Sequence, residues 1–110
     1  MSNIRTGVPH LRIARPSRDL AAAERFWVGG LTLDVLWRAT AAGPGGHDLL
    51  MLGWPDAHWH LELVAGDVPD PTPTAEDLLV LYLDGPVDED LVRELERAGG
   101  TRVYAGPYWD

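Results

Sequence analysis

The sequence predicts an α+β fold, and three observations carry the prediction. Several short stretches alternate apolar and polar residues with period two, and a capped stretch of helical period follows the first of them. The second half of the chain then repeats the opening order of strand, helix and strand. At 110 residues and 12.1 kDa, the chain has room for one domain, residues 1–110, burying roughly 65% of its unfolded surface.

His10 to Ala14 reads as the first strand, since Leu11 and Ile13 alternate with His10, Arg12 and Ala14, a pattern that puts Leu11 and Ile13 under the following helix. Pro16 ends it, and Ser17 or Asp19 can cap a helix over Leu20 to Val28. Leu20, Ala23 and Trp27 share one stripe of that helix, and Gly29-Gly30 is its expected stop. Leu33 to Thr40 is a second strand. The glycines from Ala41 to Gly46 make a loop, and Asp48 to Trp54 and His58 to Val64 form a hairpin. Its turn is Pro55-Asp56, where proline presets the dihedral angle and aspartate bonds back to the chain.

Three prolines among acids and threonines mark Gly66 to Asp77 as an extended linker. Leu78 to Asp84 is apolar on both faces and predicts a central, covered strand. Asp88, Glu89 and Asp90 then open a helix that Arg93 and Arg97 close, in keeping with the helix dipole. Val87, Leu91, Leu95 and Ala98 form its buried stripe, Gly99-Gly100 ends it, and Thr101 to Tyr104 reads as a last short strand.

Charge narrows the function classes. Nine Lys and Arg against seventeen Asp and Glu give −8, and all of the excess lies beyond residue 66, where three arginines face eleven acids. That field repels nucleic acid and anionic lipid, so neither is an expected partner. The absence of lysine removes Schiff-base chemistry, and the absence of cysteine removes thiolate chemistry, disulfides and cysteine-held metals. Ser2 and Ser17 have no histidine tied to them by spacing. No apolar run approaches the roughly 20 residues of a membrane helix, and Met1 to Arg12 shows no secretory pattern, which predicts a soluble cytoplasmic protein.

The polar candidates sit on the hairpin and the first strand. His58, His60 and Glu62 are two residues apart and project from one face of their strand, a set that suits a divalent metal. The alternative is that His58 is solvated while His60 and Glu62 satisfy each other or Arg12. Arg12 points inward by alternation and needs a carboxylate, for which Glu62 is the obvious partner. Trp37, Trp54, Tyr108 and Trp109 lie near strand ends or loops, where aromatic rings can wall a pocket for a planar or cationic molecule.

The chain resembles the vicinal oxygen chelate superfamily, the group of glyoxalase I, bleomycin-resistance proteins and extradiol dioxygenases. The resemblance rests on the order of Leu11-Arg-Ile-Ala-Arg-Pro16, the helix from Asp19 to Trp27, Gly30 to Leu33, Met51 to Pro55, His60-Leu-Glu-Leu63 and Gly106-Pro-Tyr-Trp109. It implies two βαβββ modules forming a curled mixed sheet around a pocket, and a homodimer. Module one would cover 8–65, the linker 66–77, and module two 78–110, the last shortened to βαβ by truncation or completed by a partner subunit.

The resemblance also implies a divalent metal, such as Zn, Ni, Mn or Fe, on first and last strands of each module. Carried over, the first-strand ligand falls at Arg12, or at His10 with a shift of two, and the fourth-strand ligand at Glu62. The equivalent place in module two is Leu78, which cannot bind metal, and the last ligand would lie beyond Asp110. The resulting expectation is a binder of a small aromatic or cationic compound that uses no cofactor, of the bleomycin-resistance type. Arg12, His60 and Glu62 would be its floor and Trp37, Trp54, Tyr108 and Trp109 its walls. The rival is a metal-dependent lyase or dioxygenase using His10, His60 and Glu62. A degenerate member with no activity is the third reading.

Overall fold

The computed structural model describes residues 9–41 and 45–104. It contains one mixed sheet of four strands: β1 (Leu11–Pro16), β2 (Asp34–Ala39), β3 (His47–Gly53) and β4 (Trp59–Gly66). The strand order is β1-β4-β3-β2, with β1 parallel to β4 and the other pairs antiparallel. A parallel neighbour requires a crossover, and the helical segment between β1 and β2, together with the two strands that follow it, supplies one. The sheet is curled and unclosed, and with two helices beside it the fold is α+β, as predicted.

The first helix begins as α1 (Leu20–Glu24), where Asp19 accepts a hydrogen bond from the backbone N–H of Ala22 at 3.0 Å. It ends within the expected Gly29-Gly30 stop. It widens into a π-helical segment, Arg25–Gly30, closed by the Leu31 amide donating to the Phe26 carbonyl. Thr32 then turns the chain at a φ of 61°. The widening turns Trp27 and Val28 onto the core while Gly30 stays buried at the helix end.

One face of the sheet meets this helix. Leu50 and Leu52 of β3 pair with Leu63 and Leu61 of β4, and with Leu33 these five leucines form the buried core. Each such side chain contributes about 1.5–3 kcal/mol by leaving water. Ile13, Leu20, Ala23, Trp27, Val28, Trp54 and Trp59 pack around them. At the far end, Trp54 and Trp59 meet edge to face with ring centroids 5.7 Å apart. Leu11, expected under the helix, is 61% exposed, because β1 is the edge of the sheet and the helix does not reach its first residue.

The second half departs furthest from expectation. The helix α2 (Glu89–Arg97) forms, with Asp88 capping the Leu91 amide at 2.9 Å and Gly99 adopting a φ of +103° at its end. Of its expected buried stripe only Ala98 is buried: Leu91 and Leu95 are half-buried, and Val87, which precedes the helix and its cap, is 64% exposed. It docks through Ala98 and Leu95 against Gly30. Neither Leu78 to Asp84 nor Thr101 to Tyr104 is a strand. An apolar composition favours a strand only where a neighbour offers a hydrogen-bond ladder, and among the described residues neither segment meets one. Tyr82 is consequently 93% exposed and Leu78, Leu79 and Val80 are exposed as well. Pro71, Pro73, Leu78 and Leu79 instead line a cleft with Ile13, Pro16 and Leu61 along the helix side of β1. No helix of the described residues is long and apolar enough to cross a membrane.

Candidate functional site

The other face of the sheet carries the polar candidates. Register places Arg12 beside His60 and Ala14 beside Glu62 on β1 and β4, and Met51 of β3 beside Glu62. Alternation therefore gathers His10, Arg12, His60, Glu62 and Met51 opposite the leucine core.

Two contacts organise them. Arg12 Nη1 donates to Glu62 Oε1 at 3.1 Å, so the expected ion pair forms. The Arg12 side chain is 56% exposed and that of Glu62 only 15%, which leaves the pair half open to solvent. Beside it, His10 Nε2 lies 2.7 Å from His60 Nδ1, with ring centroids 4.9 Å apart. His60 Nε2 is buried with no hydrogen-bond partner, a position that costs about 1–3 kcal/mol. Burial, then the neighbouring His10 and Arg12, push the His60 pKa below its ordinary value, with Glu62 opposing weakly. At neutral pH His60 is an uncharged ring.

Trp37 joins this face through a backbone irregularity. The pairing of β2 with β3 slips between Val35 and Trp37, so Val35 faces Leu52 in the core while Trp37 sits opposite Met51. One extra residue, Leu36, reverses the parity of the strand. It leaves Trp37 60% exposed on the polar face and sends Arg38 to the helix side, where both its terminal nitrogens reach the Glu24 carboxylate at 2.8 and 3.0 Å. Gly53 completes the floor, for a Cβ there would come within 3.1 Å of Leu36 Cδ1 and 3.4 Å of His60 Cβ.

The remaining expected site residues do not gather here. Trp54 lies on the helix side, donating from Nε1 to the Thr32 carbonyl at 3.2 Å and packing on Trp59. Tyr108 and Trp109 lie outside the described residues. His58 is exposed beside the hairpin turn, and His47 Nε2 is 2.9 Å from the Asp67 carbonyl oxygen. Met51, Leu36 and Gly53 were not singled out from the sequence. The pairing of Leu50 and Leu52 with Leu63 and Leu61 puts Met51 and Gly53 on this face, but 49–52 is apolar throughout and does not mark them, and the slip at Leu36 leaves no mark in the sequence either.

The donor set fits a catalytic divalent metal poorly. Two imidazole nitrogens on one ion stand roughly 3.0–3.4 Å apart, whereas His10 and His60 are in direct hydrogen bond at 2.7 Å. Glu62 is held by a guanidinium whose charge opposes a dication. Among the described residues no group of three or more His, Asp and Glu side chains converges.

Comparison with known proteins agrees with the fold. The family model of the YycE-like N-terminal domain matches residues 11–64. A YycE protein of unknown function from Bacillus subtilis, grouped with glyoxalase/fosfomycin resistance proteins, superimposes with a TM-score of 0.75 and 32% identity, covering 91% of this chain and 74% of the other. The chain belongs to the YycE-like family of the vicinal oxygen chelate superfamily. A glyoxalase family protein from Enterococcus faecalis shares the fold at a TM-score of 0.50 and 19% identity, over 86% of this chain and 74% of that one. No curated protein matches the chain. Of the first-strand positions that the resemblance offers for a metal ligand, Arg12 contacts Glu62 and His10 contacts His60.

Proposed function

We propose that this YycE-like protein binds a small planar organic molecule on the open face of its sheet without a catalytic metal, as a sequestering protein of the bleomycin-resistance type. The observation that supports the reading is the Arg12–Glu62 ion pair, 3.1 Å long. It commits the Glu62 carboxylate to a guanidinium, and among the described residues no three His, Asp or Glu side chains converge, so Lewis-acid chemistry has no complete ligand set there. The exposed indole of Trp37 and the half-buried Met51 offer a flat apolar surface beside the polar pair. Arg12, His60 and Glu62 form the floor of the site and Trp37 its wall. On this reading the protein is cytoplasmic and homodimeric, which cell fractionation and sedimentation velocity check.

Metal analysis of protein purified without chelator tests the reading. The expected outcome is well under one equivalent of Zn, Ni, Mn or Fe, and no saturable uptake in a zinc titration. Stoichiometric metal supporting lyase or dioxygenase turnover would replace binding with the rival chemistry. A flat tryptophan-fluorescence response to every planar aromatic compound tried would favour a member with no ligand.

A further inference from the structure

We propose that the open face selects an uncharged ligand whose polar edge carries a donor and an acceptor side by side, as in a carboxamide, lactam or ureido group, joined to a flat apolar body. The inference rests on the small-molecule reading above and narrows it to one chemical class.

Charge is the first argument. Arg12 and Glu62 cancel each other, and among the described residues of the four strands no other charged side chain shares their contact. Glu62 is largely shielded from water while Arg12 is half exposed, so a ligand reaches the pair from the side of the guanidinium. A carboxylate ligand would have to share Arg12 while lying against the oxygens of Glu62. An ammonium would meet the reverse conflict with Arg12. A neutral group leaves the pair intact.

Hydrogen bonding is the second. The contact uses one nitrogen of the guanidinium and one oxygen of the carboxylate, and the remaining N–H groups of Arg12 and Oε2 of Glu62 have no partner among the described residues. A donor and an acceptor therefore stand next to each other, the complement of an amide edge, whose carbonyl accepts from Arg12 while its N–H donates to Glu62.

Length is the third. Glu62, Met51 and Trp37 occupy one row across three strands. Neighbouring strands lie about 4.8 Å apart, so the row spans roughly 10 Å from the carboxylate to the indole. A bicyclic aromatic body attached to the amide covers that distance and ends against Trp37.

Calorimetric titration of the full chain at about pH 7.5 with 2-naphthamide, 2-naphthoate and 2-naphthylmethylammonium tests the class, since His60 is neutral there. The amide is expected to bind at least about tenfold more tightly than either charged analogue. Its affinity should change less than about twofold between low and high salt. In Glu62→Gln, Arg12 is left uncompensated, and the preference should swing by about tenfold or more toward the carboxylate. Arg12→Gln should swing it toward the ammonium. If neither variant keeps the wild-type circular dichroism spectrum, the wild-type ratio and its salt dependence decide alone. A charged analogue binding as well as the amide, with Trp37→Ala weakening it, overturns the selectivity and leaves the small-molecule reading standing. Failure of all three to bind below about 1 mM overturns both.

Discussion

His10 Nε2 and His60 Nδ1 stand 2.7 Å apart, so one ring donates to the other and the pair cannot hold a proton on both facing nitrogens. Burial adds to this, since desolvation is the leading cause that lowers the His60 pKa, followed by His10 and Arg12. An unfolded histidine takes its proton near pH 6.5, whereas folded His60 resists until a lower pH. The unfolded chain thus binds more protons in that window. Stability is expected to be full above about pH 6.5 and to decline as pH falls toward the folded value, with a slope of at most about 1.4 kcal/mol per pH unit. Denaturant midpoints measured from pH 7.5 to pH 5 check this. His60→Gln should flatten the decline, and an unchanged slope in that variant would assign the pH dependence elsewhere.

Glu24 and Arg38 tie the helix to β2 directly after the slip at Leu36. The hydrogen bonds from Arg38 hold the Glu24 carboxyl below its usual range. The contribution is present above about pH 4.5 and is lost as pH falls through the lower folded value. Both side chains are partly in water, which keeps the effect small. Glu24→Gln is expected to lower Tm by about 2–4 °C at neutral pH and by less in high salt. A double-mutant cycle with Arg38→Gln should recover most of the loss as coupling, and purely additive effects would refute the tie.

Leu61 and Leu63 of the core and the Arg12–Glu62 pair were legible in the sequence for one reason. Both depend on the two-residue alternation of β1 and β4, which runs unbroken from Trp59 to Val64, whereas 49–52 of β3 is apolar throughout and leaves the faces of Leu50 and Leu52 unmarked. Asp19, one of two cap candidates with Ser17, and the acidic start of the second helix at Asp88 were legible because capping is settled within one helical turn. The slip at Leu36 was not, since Leu33, Val35 and Trp37 continue the alternation in sequence and only the pairing with β3 breaks it. Leu78 to Asp84 misled for the converse reason: its composition satisfies a strand, but a ladder is a relation between distant segments and no residue in the run reports its absence.

Gly29 and Gly30 are neighbours with opposite requirements. A Cβ at Gly29 meets nothing within 4 Å, whereas one at Gly30 comes within 3.1 Å of Ala98 Cβ and of Leu95 Cδ2. Gly29→Ala should therefore stabilise by about 0.4–1 kcal/mol through the unfolded state. Gly30→Ala should destabilise by about 1–3 kcal/mol, because α2 must retreat from the helix end. Hydrogen exchange should show the protection of 89–97 falling in Gly30→Ala alone. Equal effects at both positions would mean that α2 does not dock on Gly30.

Thr32 is the one non-glycine among the described residues with a positive φ, 61°. A β-branched side chain in the left-handed region costs about 1–2 kcal/mol. Two features hold it there: its hydroxyl donates to the Leu31 carbonyl at 2.6 Å, and its own carbonyl accepts from Trp54 Nε1 at 3.2 Å. Only the first belongs to the side chain. Thr32→Asn keeps the backbone acceptor and places there a residue that tolerates this conformation, so it should raise Tm by about 4–8 °C. Thr32→Val keeps the branching and loses the hydroxyl, so it should lower Tm. If asparagine lowers Tm as much as valine does, the Thr32 hydroxyl outweighs the backbone strain and the assignment of strain to this turn fails.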